Sequence, residues 1–235
     1  MRVAVLADIH GNLPALEAVL AEPDVRSADL VLVAGDVVPG PFPAECVDAL
    51  HALGERVRFA RGNGDREVVA RSEQHGADWC AERLGEERLR RLAEWPLTQR
   101  VEVDGVGRVL VCHAVPDDDM PIVTRLTPEA ELAAAFEEAD ADLVVCGHTH
   151  IQFDRRAGGL RVVNAGSVGS PYEGRRGAFW CLLGRGVEHR RTEYDAEAAA
   201  AAIRDSGSPT ASDQVDWLLD PPDPDEISRF FEGQR

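Results

Sequence analysis

Apolar residues fall into short, nearly unbroken runs along the chain: VAVLA (3–7), DLVLVA (29–34), VRFA (57–60), RVLVC (108–112) and DLVVC (142–146). Runs of this length without polar alternation predict strands buried on both faces. Helical spacings lie between the first of them. Asn12 can cap LPALEAVLAE with Pro14 in the first turn, and Ala44 to Leu53 follows Pro43. Strand–helix alternation predicts α/β layers. From Arg66 to Trp95 the sequence turns charged and helix-favouring, with only Trp79, Leu84, Leu89 and Leu92 as a thin apolar stripe. That predicts a helical insertion over about 66–96, either a lid or a layer over a sheet. Thr127 to Ala139 reads as a further helix entered through Pro128 and Glu129.

After residue 150 the pattern changes to hairpins: IQFDRR, the turn AGG and LRVVN, then AFWCLLG, the turn RG and VEHRRTEY. Parallel α/β units followed by an antiparallel section predict two packed layers of sheet with helices outside. In the tail PPDPDEISRFFEG, Asp223 suits an N-cap, Pro224 the first helical position and Glu226 the third. Ile227, Phe230 and Phe231 then share one face, which would dock on the core or on a second copy in a homodimer. The whole of 1–235 reads as a single domain with a C-terminal helical tail from about 195.

Composition narrows the partners. Hydrophobic residues make up 44% and charged residues 29%, as in ordinary globular proteins, but the net charge is -17 with acidic residues spread throughout. Such a surface repels nucleic-acid backbone and anionic membrane, so a phosphate-bearing ligand needs a local cationic centre. VAVLA is too short for a signal-peptide core before Asp8 and His10, and no run approaches a membrane span. The five cysteines form no CxxC, and Cys112, Cys146 and Cys181 lie in apolar runs. A reducing, cytoplasmic location is therefore expected.

Each apolar run ends in a residue type that binds metal. VAVLA leads to Asp8 and His10, DLVLVA to Asp36, VRFA to Asn63, RVLVC to His113, and DLVVC to His148 and His150. The carboxyl ends of strands in an open α/β sheet line the crevice where ligands bind. Any one of these pieces reads equally well as a turn, a helix cap or a core histidine, and Asn63-Gly64 alone reads as a hairpin corner. His51, His75 and His189 carry no such signal. The concurrence of seven donors is what predicts a site. Seven exceed one tetrahedral ion and suit two ions sharing a bridging carboxylate. The mixture of Asp, Asn and His without thiolate suits manganese, iron or zinc.

In order, D-x-H, G-D, G-N-x-D, a strand-ending His and G-H-T-H resemble the calcineurin-like metallophosphoesterases, and most of all their compact bacterial and archaeal phosphodiesterase branch. The likeness runs from about residue 3 to 171 and takes in Asn164-Ala165-Gly166-Ser167, similar to that branch's N-P-G-S turn with Ala165 in place of Pro. It implies two packed mixed sheets flanked by helices in four layers. It implies two divalent ions, manganese first, with iron, zinc, nickel or magnesium as alternatives. One ion would take Asp8, His10 and His150, the other Asn63, His113 and His148, and Asp36 would bridge them. Asp36, Asn63 and His113 would be the central catalytic residues.

The implied reaction is hydrolysis of a small phosphate ester, a phosphodiester or phosphomonoester, by a metal-bridging hydroxide attacking phosphorus in line. Asn63, Arg66 and Arg175 would contact the substrate, with Arg176 as a further candidate, and Asp65 would hold a ligand or the loop backbone. Many relatives carry a His directly after the Asn; here Gly64 stands in its place. The expectation is therefore a preference for good leaving groups, and faster turnover of poor ones after Gly64→His. The alternative is a non-catalytic or weakly catalytic interaction scaffold on the same fold, similar to a retromer subunit. No basic stripe accompanies the motifs, so long nucleic acid is not the expected substrate.

Overall fold

The computed structural model describes residues 1–235. Two five-stranded mixed sheets pack face to face, with helices on both outer surfaces. The first contains β1 (Val3–Leu6), β2 (Leu30–Ala34), β3 (Val57–Ala60), β9 (Ala178–Leu183) and β10 (Val187–Thr192), in the order β10-β9-β1-β2-β3. The second contains β4 (Thr98–Val103), β5 (Gly107–Cys112), β6 (Leu143–Cys146), β7 (Phe153–Ala157) and β8 (Leu160–Asn164), in the order β4-β5-β6-β8-β7. β1, β2 and β3 are parallel, as are β5, β6 and β8, while β9 pairs antiparallel with β1 and β10, β4 with β5, and β7 with β8.

Four of the five apolar runs are inner strands covered on both faces, which explains their lack of alternation, and the fifth, β3, ends its sheet and exposes Arg58. Val3, Val5, Leu32, Val109, Val111, Leu143 and Val145 meet between the sheets. The alternate residues Leu6, Val31 and Val33 face the helices α1 (Leu13–Ala21) and α3 (Pro43–His51). The antiparallel section is not a separate layer. β7–β8 extends the second sheet and β9–β10 the first, so each hairpin forms one edge of its sheet, opposite β4 and β3 respectively. β4, at the other edge of the second sheet, buries only Val103 and exposes Arg100 and Glu102.

Residues 63–69 form α4 and residues 77–93 form α5, which packs Cys80, Leu84 and Leu92 into the core over the first sheet. The helix expected over 127–139 is shorter, α6 (Glu129–Ala135), with Pro128 as its cap residue. In the tail, α7 (Ala196–Asp205) and α8 (Ala211–Leu219) bury Ala199, Ala200, Ile203, Val215 and Leu218 against each other. α9 (Pro224–Glu232) is capped by Asp223, whose side chain accepts from Asp225 and Glu226 N–H. Phe230 stays 60% exposed, whereas Glu232 ties α9 down by accepting from the Thr124 and Thr127 hydroxyls. All five cysteines are free and buried. No helix is long and apolar enough to cross a membrane.

Candidate metal centre

The loops that leave β1, β2, β3, β5 and β6 converge at one end of the sandwich. They are stitched together by backbone bonds, Asp8 N–H to Gly35 O at 3.1 Å and His10 N–H to Asp36 O at 3.0 Å. The turn Asn164 to Ser167 fastens them from the side. Asn164 Nδ2 donates to Gly147 O at 2.5 Å, and the Ser167 hydroxyl donates to Asp8 O at 2.7 Å. Gly147 is required by close approach: a Cβ there would lie 2.5 Å from Asp8 Oδ2.

Five of the seven donors, Asp8, His10, Asp36, His148 and His150, have φ between 46° and 69°. Left-handed backbone at non-glycine residues is costly and collects at functional sites. Here it turns five side chains inward over a short stretch of loop.

The seven side chains meet. His10 Nε2 lies 3.1 Å from His150 Nε2, which is 3.3 Å from Asp8 Oδ1. His113 Nε2 lies 3.0 Å from both Asn63 Oδ1 and His148 Nδ1. Asp36 stands between the groups, its Oδ2 being 3.7 Å from His10 Nε2 and 3.5 Å from His113 Nε2. Its Oδ1 accepts from Gly64 N–H at 2.7 Å, which fixes the carboxylate plane.

Tautomers follow from the outer contacts. His113 Nδ1 donates to Ala34 O at 2.9 Å, His150 Nδ1 to Ser170 O at 2.6 Å, and His148 Nε2 to Met120 O at 3.1 Å. Each ring therefore turns a bare nitrogen lone pair inward, as metal-binding histidines do. Asp8 Oδ1 is buried and has no hydrogen-bond donor. Lone pairs facing one another at hydrogen-bond distance, beside an orphaned carboxylate oxygen, form a donor set that fits divalent cations.

Electrostatics agree. Burial, reinforced by His150, holds His10 down to about 3, and burial with His113 does the same to His148. Both rings are thus neutral and free to donate electron pairs. Burial pushes Asp8 upward, but His150, His113 and His10 outweigh it and leave its carboxyl at about 2. Asp36 is raised well above the usual carboxylate range, first by burial and then by the charge of Asp8. That is the repulsion a bridging cation would relieve.

Asp65 holds the loop backbone. Its Oδ2 accepts from Asp36 N–H at 2.9 Å and Gly62 N–H at 3.0 Å, and its Oδ1 from Val38 N–H at 3.2 Å. Burial and the Asp36 charge push it up to about 7, against the Gly62 and Val38 donors that favour the carboxylate.

The three arginines are placed differently. Arg66 makes a forked pair with Asp119, Nε to Oδ2 at 2.9 Å and Nη2 to Oδ1 at 2.8 Å, and does not line the cleft over the seven donors. Arg175 is exposed over the Phe179 ring, 5.2 Å from its centroid. Arg176 donates to Leu219 O and Glu197.

That cleft has a volume of about 250 Å³. Its walls include two groups of residues that the sequence pattern passed over. His75 and Glu67 line one side, with His75 Nδ1 3.5 Å from Glu67 Oε2, a buried oxygen without a hydrogen-bond partner. His75 also has positive φ, 49°, and is the sixth such Asp or His around the cleft. On the other side stand Tyr172 and, from α8, Asp213, Gln214 and Trp217.

The Gly64 backbone explains the missing side chain. A Cβ there would lie 2.6 Å from Val38 O and 2.8 Å from Pro39 Cδ. A His at this position has no room as the loop stands, so faster turnover after Gly64→His is no longer expected.

The chain belongs to the calcineurin-like phosphoesterase superfamily, whose domain model matches residues 1–183. An uncharacterized protein of Methanocaldococcus jannaschii is 30% identical over 228 residues, covering 86% of this chain and 91% of that one. The Escherichia coli phosphodiesterase YfcE is 25% identical over 195 residues, covering 77% and 87%. Among solved structures, a metallophosphoesterase from Sphaerobacter thermophilus superposes with a TM-score of 0.78 at 26% identity, covering 94% of this chain and 99% of that one. A hypothetical protein from Pyrococcus horikoshii has the same fold, with a TM-score of 0.79 at 20% identity over 94% and 99% of the two chains.

Proposed function

We propose that this chain is a dinuclear-metal-dependent hydrolase of small phosphate esters, a phosphodiesterase or phosphatase, with manganese as its first metal. The observation that carries the reading is the position of Asp36 Oδ2, within 3.7 Å of His10 Nε2 and 3.5 Å of His113 Nε2, with its other oxygen held by Gly64 N–H. Asp8, His10 and His150 would hold one ion, Asn63, His113 and His148 the other, and Asp36 both. When bound, such a pair lowers the pKa of water to near 7 and neutralises charge on the phosphoryl oxygens. Similarity to the YfcE phosphodiesterases supports the ester class.

The chain's own residues have three tasks. Asp8 and Asp36 supply the negative charge that retains the ions in an otherwise neutral donor set. Asn63, with Oδ1 turned to His113, has Nδ2 left to donate to a phosphoryl oxygen. His75, with Nδ1 3.5 Å from Glu67 Oε2, would protonate the leaving oxygen, a role worth about 10²–10⁴-fold. The acidic surface favours small substrates over long polyanions, since the net charge is -17. Metal analysis joined to hydrolysis of an aryl phosphodiester tests the reading, and an inert protein that carries its full complement of metal would overturn it.

A further inference from the structure

The cleft has one large apolar surface that the chemistry at phosphorus does not use. Trp217 on α8 is 42% exposed within it. Its ring meets Tyr172 edge-on, centroids 5.7 Å apart at 87°, and Tyr172 stacks on the donor His150 at 4.7 Å and 20°. An aromatic surface therefore runs from a metal-type histidine to the rim. α8 is held over the site rather than beside it: Gln214 Nε2 donates to the carbonyl of His10 at 3.0 Å, across 204 residues of chain. Val215 and Leu218 are buried against α7, so the Trp217 face of the helix is fixed.

Charge limits what that surface receives. No arginine lines the cleft, the chain contains no lysine, and Glu67 and Asp213 add carboxylates to its walls. Beyond the ions the donor set would hold, a polyphosphate tail would find only His75, itself beside Glu67, and would meet these acids instead. A flat ring system attached to a single phosphate fits both features. An aliphatic substituent would leave the ring faces unpaired.

We propose that the exposed Trp217 ring, braced edge-on by Tyr172, forms a base-stacking subsite, and that the substrate is a monoanionic phosphodiester carrying one nucleoside-type aromatic group. The inference rests on the phosphoesterase reading and names its substrate class. Base–aromatic stacking in proteins is strong enough that losing one platform costs about tenfold in binding.

The test compares two esters with the same leaving group, thymidine 5′-(p-nitrophenyl phosphate) and methyl p-nitrophenyl phosphate. The wild type should favour the thymidine ester in kcat/KM, Trp217→Ala should reduce that preference about tenfold, mainly through KM, and Trp217→Phe should restore part of it. An unchanged ratio in Trp217→Ala, with metal content and circular dichroism intact, would overturn the subsite. A second measurement needs neither metal nor turnover: saturation transfer from metal-free protein to the ring protons of adenosine, present in wild type and lost in Trp217→Ala. If the wild type cleaves neither ester, the phosphoesterase reading has failed, and the adenosine signal still decides the subsite; its absence from wild type would overturn the proposal.

Discussion

Asp36 Oδ2 lies 3.5 Å from His113 Nε2, and His113 cannot donate across that gap, because it has spent its N–H on Ala34 O. The same is true around Asp8, whose Oδ1 accepts from nothing although it is buried. Metal-free protein therefore holds inward-facing acceptors without donors, and a cation that binds only the folded state will stabilise it. At a hundredfold excess over Kd the gain is about 2.7 kcal/mol. For a chain of this size that is roughly 5–10 °C in Tm. Thermal unfolding with chelator and with manganese checks it; identical midpoints would contradict the donor set.

His75 changes the expectation that Gly64 created. With a candidate acid on the cleft wall, wild-type turnover should depend only weakly on leaving-group pKa. His75→Ala should slow esters of poor leaving groups by about 10²-fold while p-nitrophenyl esters change little. The check is a leaving-group series in both proteins, with metal content measured alongside. An equal slope in both would remove His75 from the chemistry.

Gly64 itself should tolerate no side chain. Its position against Val38 O and Pro39 leaves less than 3 Å for a Cβ. Gly64→Ala should destabilise by about 1–3 kcal/mol, in the range of overpacked cores, and Gly64→His by at least as much, without faster turnover. Denaturant titration of the two variants decides it.

Asp119 gives a prediction with a definite sign. Burial tends to raise its carboxyl, but the forked bonds from Arg66, and Arg61 nearby, hold it below the usual range. A carboxyl lowered on folding stabilises above its unfolded pKa, and that contribution is lost as pH falls below about 4. Asp119→Asn should cost about 1 kcal/mol at pH 7, a modest figure because the Arg66 side chain is 40% exposed. The difference from wild type should narrow in acid. A gap of the same size at pH 3 would show that the pair contributes nothing through charge.

Much of this was legible in the sequence because β1, β2, β5 and β6 are buried on both faces and, with β3, lead within a few residues to the site. Asp8, His10, Asp36, Asn63, His113, His148 and His150 could be placed together from strand ends alone. β4 was not legible, since an edge strand with one wet face reads as TQRVEV, a weak alternation. His75 sits in a charged helical stretch with no strand before it, and only the turn between α4 and α5 brings it to Glu67 and the cleft. Trp217 and Gln214 lie some 200 residues from His10, and nothing local marks them; docking of α8 does. Arg66 looked available until Asp119, 53 residues on, was seen to occupy it.

The central claim is that Asp36 joins two ions in a phosphoester hydrolase. The most direct measurement is metal content by mass spectrometry, paired with manganese-supported hydrolysis of bis(p-nitrophenyl) phosphate, in wild type and Asp36→Asn. The account predicts about two ions per chain and steady turnover in wild type. In the variant it predicts fewer ions and a rate lower by at least about 10²–10³-fold. Full metal content and full rate in Asp36→Asn, or an inert wild type with both ions bound, would contradict it.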